Sequence, residues 1–460
     1  MAYEISTATG HVGFLKAIRR FLLGFGIAGT PGYAGTGNGT ITGVQPLGAA
    51  VTETWTIACT TAATNGGTFS VTGSVSGAKA NATVGTPYDN GLIQFTLNDG
   101  ATDFIVTDAF TVAVTQGALS IQRAIGFSGT GNGTMTPASI YPGFQFEVWT
   151  IKCTATATNG GTFSVTGSVS GAQASATVGT HYDNGKVKFT INDGSTDFAL
   201  NDSFVLTSPV WFENRWVETS GEWEFQVKAP GLGGTTESYF GIRSYSLPSS
   251  DYYNIALMAC SGYVPGNAWS AQPGKWPAGT ADLGCSLWNG SIPYWIRANG
   301  QAFSFAAHVN LAYMSGGFGR LISYHTPGQY PYPAMVWSML SSASSANYSS
   351  GSNDFGIRGG LGQFGLRKLD GTWINPNTYP YQSGYAIRGS GPDVFDHYIP
   401  EPIVVHDATN LYGEIDGLYF CPVFGGNAAE DTITINGVTY VMISNFNRTG
   451  NKDMFVMRLD

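Results

Sequence analysis

The sequence predicts an all-β protein, and three observations carry that expectation. The first is an internal repeat. ATNGGTFSVTGSVSGA at Ala63–Ala78 returns letter for letter at Ala157–Ala172, 94 positions on. That period is too long for a solenoid rung and suits one small domain, so it predicts tandem domains over 35–115 and 129–209. The second is alternation. In Gly67–Ser76, Phe69, Val71 and Val75 alternate with Ser70, Thr72, Ser74 and Ser76; in the second copy Val187, Phe189 and Ile191 alternate with Lys186, Lys188 and Thr190. Period two marks a strand with one buried face and one wet face. The third is turn chemistry. Asn90-Gly91 and Asp99-Gly100, matched by Asn184-Gly185 and Asp193-Gly194, bound these runs with dipeptides that suit tight hairpins.

Residues 1–34 differ from everything after them. Phe14, Leu15, Ile18, Phe21, Leu22 and Phe25 share one helical face, with Lys16, Arg19 and Arg20 elsewhere on the surface. Thr9 is placed to cap this helix, and Gly24 or Gly26 to end it. A secretory signal would put its basic residues before the apolar core and a small-residue cleavage site after it, and this order differs. A helix lying on a membrane surface is a rival reading. The expectation is that the apolar face packs on the C-terminal domain or on a neighbouring subunit, which makes those six residues the candidate assembly interface.

Gly29–Ala34 is a Gly/Pro linker into the first repeat, and Gln116–Phe127 joins the two. Six or seven short strands per repeat suggest an immunoglobulin-like sandwich, with Trp55 and Trp149 as equivalent core anchors. After Pro209 the composition shifts. Trp211–Pro230 carries three tryptophans and reads as a hairpin turning at Ser220-Gly221. Residues 210–460 show no repeat and form the largest unit, a sandwich or jelly-roll-like β domain. Strands are expected at Tyr239–Tyr245, Tyr253–Met258, Tyr294–Ile296, Ala302–Val309, Tyr419–Cys421, Thr432–Ile435 and Val438–Ile443. Asn436-Gly437 joins the last two, and Asn299-Gly300 separates another pair. Long aromatic loops lie between, among them PGNAWSAQPGKWP, TPGQYPYP and WINPNTYPYQSGY, of a kind with an interaction role.

The whole chain narrows the function classes. It has 460 residues, 63 of them glycine, with 13% aromatic and only 11% charged side chains. That mixture is unlike a cytosolic metabolic enzyme and resembles extracellular or virion β proteins. A formal charge of −9 argues against a sequence-independent grip on nucleic acid, which needs a basic face. No apolar run reaches the length of a transmembrane helix. The five cysteines lack metal or redox spacing and read as small buried hydrophobes, with Cys59 and Cys153 on equivalent strands of separate domains.

Chemistry has few candidates. The six histidines form no zinc spacing. His397, near Asp393, Asp396 and Glu401, and His406 beside Asp407 could line a site; a solvated loop gives the same letters. GTGNGT, at Gly35–Thr40 and Gly129–Thr134, looks like a phosphate loop but lacks the following helix and lysine. Asp99, Asp103 and Asp108, repeated as Asp193, Asp197 and Asp202, could hold calcium, and turn roles explain them more simply. Glu414 and Asp416 are the best pair for glycoside hydrolysis, being two apart in an extended run. No catalytic residue, cofactor or metal is expected.

MAYEISTATGHVGFLKAIRRFL, ESYFGIRSYS, DYYNIAL, IPYWIRANGQAFSFAAHV, YHTPGQYPYP, LYGEIDGLYF and the closing GGNAAEDTITINGVTYVMISNFNRTGNKDMFVMRLD resemble a family of tailed-bacteriophage virion structural proteins. The resemblance spans the helix and 210–460. In that family the helix runs into the tryptophan-rich hairpin after a short connection, which implies that both repeats are inserted between two halves of one domain. The repeats look like the Gly/Thr/Ser-rich Ig-like modules of other phage structural proteins. The resemblance implies a non-enzymatic, homo-oligomeric particle component of the tail, baseplate or neck, assembled in the host cytoplasm among other virion proteins, without nucleic-acid binding or membrane insertion. Alternatives are a receptor- or host-glycan-binding tail protein, a capsid decoration protein, and a tail-associated glycan hydrolase using Glu414 and Asp416.

Overall fold

A computed structural model describes residues 2–47, 50–116, 125–140, 148–207, 211–219, 222–230, 237–299, 301–326, 328–331, 333–342, 356–358, 363–382, 385–386, 400–421, 428–444 and 454–459. Antiparallel strands make up most of it, and Gly10–Leu22 (α1) is the one α-helix among the described residues. The chain divides into two units: Met1–Arg19 with Val210–Asp460, and Arg20–Pro209. The all-β class therefore holds, and the first nineteen residues belong with the C-terminal part.

The unit Arg20–Pro209 holds both repeats, and each is built from two sheets. In the first repeat, Ile27–Ala28, Ala109–Thr115, Glu53–Ala63, Gly66–Gly73 and Gly77–Thr83 lie side by side in that order, with Gly32–Ala34 also on Ala109–Thr115. Thr40–Pro46, Ile93–Asn98 and Pro87–Asp89 form the second sheet. Trp55, Ile57, Phe69, Val71 and Val112 from one sheet meet Ile93, Phe95 and Leu97 from the other in a single apolar core. The second repeat keeps the same order and register. Trp55 faces Gly73 and Val112, and Trp149 faces Gly167 and Leu206. Both tryptophans are fully buried.

One detail of the alternation is corrected. The expected strand through Ser76 stops at Gly73, and Val75 stands 69% exposed in a turn. The Glu53 carboxylate accepts the backbone N–H of Val75 and Ser76 and the Ser76 hydroxyl, which closes the turn before Val75 can reach the core.

Three principal sheets build the other unit. Ala2–Thr9 (β1), Ser291–Ala298, Ala302–Val309, Ala312–Arg320, Ala334–Ser338, Phe364–Arg367 and Trp373–Ile374 form one. Phe212–Thr219, Glu222–Pro230, Glu237–Leu247, Tyr252–Cys260 and Leu283–Leu287 form the second. The third runs Asn377–Tyr379, Glu401–His406, Leu411–Phe420, Met454–Arg458, Val438–Ser444 and Thr432–Ile435, with Ile322–Ser323 on the side of Leu411–Phe420. The seven expected strand segments all fall within observed strands, save Cys421, one residue past its strand end. Thr219 pairs with Glu222, so the tryptophan-rich segment is a hairpin, although Ser220 and Gly221 lie outside the described residues. Asn436 and Gly437 turn at φ 52° and 80°, the left-handed values a two-residue hairpin requires.

The N-terminal segment holds a strand the sequence did not announce. β1 runs antiparallel to Ser291–Ala298 over all eight of its residues, so Thr9 ends a strand and α1 follows at once. Gly24 ends α1 as expected: at φ 68° it donates its N–H to Phe21, while Phe25 donates to Arg20, the paired bonds of a Schellman cap.

Candidate functional site

The GTGNGT loops are filled by their own chain. Thr36, Gly37 and Ile105 donate backbone N–H groups to the Asp108 carboxylate at 2.9, 3.0 and 3.0 Å. In the second repeat Thr130, Gly131 and Ala199 do the same for Asp202. Both aspartates are buried. Burial works to raise their carboxyls, and the converging N–H groups outweigh it and hold both below the ordinary value. The glycines are needed because the loop is tight: a Cβ on Gly39 would stand 2.1 Å from the Phe104 ring. Asn38 ties the loop down by exchanging bonds with Thr102, as Asn132 does with Thr196.

The remaining repeat acids divide into two kinds. Asp103 and Asp197 each accept one turn N–H, from Asn65 and Asn159. The carboxylate oxygens of Asp99 and Asp193 are buried without a hydrogen-bond partner. No group of three or more metal-ligating side chains occurs among the described residues.

Glu414 and Asp416 do not form a matched pair. In the pairing of Glu401–His406 with Leu411–Phe420, Pro402 faces Tyr419 and Val404 faces Glu414, so the residues between bulge out of the ladder. Asp416 is drawn inward. Its backbone carbonyl accepts from the fully buried Arg297 at 2.5 Å, and its carboxylate lies 3.6 Å from the same guanidinium and accepts from Asn299. Glu414 turns outward and accepts the Tyr324 hydroxyl at 2.6 Å. Tyr324 is 49% exposed, and Ile322, directly opposite Glu414, is exposed beside it. This small surface offers a half-exposed aromatic side chain with a carboxylate fixed at its hydroxyl.

The aromatic loops are held from within. The buried Lys275 ammonium donates to the carbonyls of Pro277, Gly279 and Ala281 and lies 3.0 Å from Asp282. Asp282 also receives the Trp269 indole N–H and Arg243. Trp276 and Trp373 stack at 6.3 Å, and Tyr330 is buried with its hydroxyl on the Arg367 carbonyl. His397, Asp393 and Asp396 lie outside the described residues. Asp407, next to His406, holds a turn by accepting from Thr409, Asn410 and Tyr412. His308, which carried no signal in the sequence, lies 2.7 Å from Glu430 and stacks on Tyr313. All five cysteines are free and buried, and burial pushes the Cys260 and Cys421 thiols up to about 12.

The six-residue helix face is occupied inside one chain. Phe14, Leu15, Ile18, Phe21 and Leu22 are buried, and Phe25 is half-buried. Phe14 packs its ring at 5.2 Å from Tyr294 and 5.4 Å from Phe305. On the polar flank Lys16 pairs with Glu218 over Trp223, and Arg19 with Glu213 over Trp216. The expectation that this face packs on residues 210–460 fits the Phe14 contacts. Five of the six are buried within the single chain. No helix among the described residues is long and apolar enough to cross a membrane.

No protein-family model matches the chain, and no curated protein matches it.

Proposed function

We propose that this chain is a non-enzymatic structural component of a tailed-phage particle, a homo-oligomer of the tail, baseplate or neck whose two Ig-like repeats project as an accessory arm. The observation that carries the reading is the use of polar chemistry for shape. The side chains best suited to catalysis or anion binding are spent on turns and bulges: Asp108 and Asp202 fill the glycine loops, Asp416 holds Arg297, and Lys275 staples an aromatic loop. The low charge and the resemblance of the N-terminal helix and residues 210–460 to virion proteins point the same way.

A second reading, a tail protein that touches host glycan, is favoured by the half-exposed Tyr324 side chain with Glu414 fixed at its hydroxyl, since flat rings stack on apolar sugar faces while carboxylates accept hydroxyls. One experiment addresses both. Labelled antibody against the repeats, imaged on purified particles, is expected at the tail, baseplate or neck. Absence of the chain from particles sinks the proposal. Label at the adsorption end, with host binding lost on Tyr324→Ala, selects the second reading.

A further inference from the structure

Sheet edges are hazards, and proteins blunt them with shortness, bulges, proline or charge. Among the described residues most edges follow that rule; Leu283–Leu287 and Thr432–Ile435 are unbulged and uncharged but only five and four residues long, and β1 departs from the rule over the greatest length. In the repeats, Thr40–Pro46, Thr134–Ile140, Gly77–Thr83 and Gly171–Thr177 are all bulged, and Pro87–Asp89 and His181–Asp183 are three residues long. Phe212–Thr219 is bulged at Asn214 and carries Glu213, Arg215 and Glu218. Trp373–Ile374, at the far end of the sheet that β1 begins, has two residues. β1 has eight, paired to Ser291–Ala298 in an unbroken register on one side and to no strand on the other among the described residues. It contains no proline and no basic side chain. Tyr3 is 45% exposed and Ile5 50%.

We propose that β1 is the self-association edge, pairing antiparallel with β1 of a second copy about a two-fold axis at Ile5. This rests on the homo-oligomer in the function proposed above and says where that oligomer closes. A two-fold makes the edge its own complement, since each residue i meets j while j meets i. With Ile5 on the axis, Ile5 faces the partner's Ile5, Tyr3 faces Thr7, and Ala2 faces Ala8. Glu4, the only charge in β1, falls opposite Ser6 and so never meets its own copy; in each chain it accepts the Tyr294 hydroxyl at 2.6 Å. The exposed apolar pair thereby gains cross-strand neighbours on its own face of the sheet, and no like charges stand directly opposite each other.

The test uses the full chain. Sedimentation of the wild type at micromolar concentration is expected to show association, and Ile5→Lys, which sets two ammonium groups opposite each other, to weaken it by about tenfold or more. Ile5→Cys is expected to give a disulfide-linked pair on mild oxidation, while Leu311→Cys, at a hairpin tip and 79% exposed, does not. The native cysteines are all buried and give little background. If Ile5→Lys fails to fold, the Ile5→Cys cross-link decides. An associating chain in which folded Ile5→Lys changes nothing, or Ile5→Cys does not cross-link, places the interface elsewhere and leaves the proposed function standing. A monomeric wild type overturns both.

Discussion

Asp108 and Asp202 show what one residue decides here. Each organises a loop through N–H groups that come from about 70 positions upstream and from three positions back. Asp108→Asn keeps the volume but can present only one oxygen, leaving at least one buried N–H facing an amide. We expect it to destabilise the first repeat by about 2–3 kcal/mol, read as a lower denaturant midpoint with the second repeat unchanged. The pH dependence follows from the direction of the shift. A carboxyl held below its ordinary value stabilises the fold above that value, 3.8 for aspartate, and the gain is lost as pH falls through the folded value. The repeats should therefore stay stable to about pH 4 and weaken below it, and Asp108→Asn should flatten that limb for the first repeat. Trp55 and Trp149 were legible from alternation alone. The role of Asp108 was not, because nothing local in TDAF says that its partners lie in GTGNGT. The letters gave the loop its phosphate-like look for a real reason, since an anion does sit there, supplied by the same chain.

At the scale of the element, α1 and β1 make an instructive pair. α1 was legible because its apolar positions recur at helical spacing and Gly24 ends it. β1 was not, because AYEISTAT exposes Tyr3 and Ile5 and buries the small Ala2 and Ala8, which inverts the usual signal of a half-buried strand. Its partner strand lies some 290 positions away. The polar flank of α1 is where a quantitative test belongs. Arg19 and Glu213 meet at 2.5 Å, each about one-fifth exposed, with the guanidinium 4.5 Å from the Trp216 ring centre. A double-mutant cycle with Arg19→Ala and Glu213→Ala is expected to give a coupling of about 1 kcal/mol, falling with added salt. A coupling indistinguishable from zero would mean that the stack on Trp216, not the ion pair, orients Arg19.

For the whole molecule, the division into Met1–Arg19 with Val210–Asp460 and Arg20–Pro209 makes the repeats a cassette within one β body. Replacing 35–209 by a short Gly/Ser bridge should leave a soluble body with a cooperative melt and a near-ultraviolet signal from its own tryptophans. Recovery only as aggregate would show that the body needs the repeats to fold. The arrangement of three sheets was only partly readable. Hairpins such as Thr432–Ile435 with Val438–Ser444 announce themselves through Asn436-Gly437. The bulge that sends Asp416 to Arg297 depends on contacts 119 positions apart. The interrupted body also sets a schedule for birth on the ribosome. Glu4 leaves the tunnel 290 residues before Tyr294, a wait of roughly 15–60 s at about 5–20 residues per second. Within that interval both repeats are completed and can fold, while Phe14 of α1 has no finished sheet to receive it. Nascent-chain capture should therefore find chaperones on residues 10–25 until translation passes Val309, and a stall placed before Ser291 should prolong that hold.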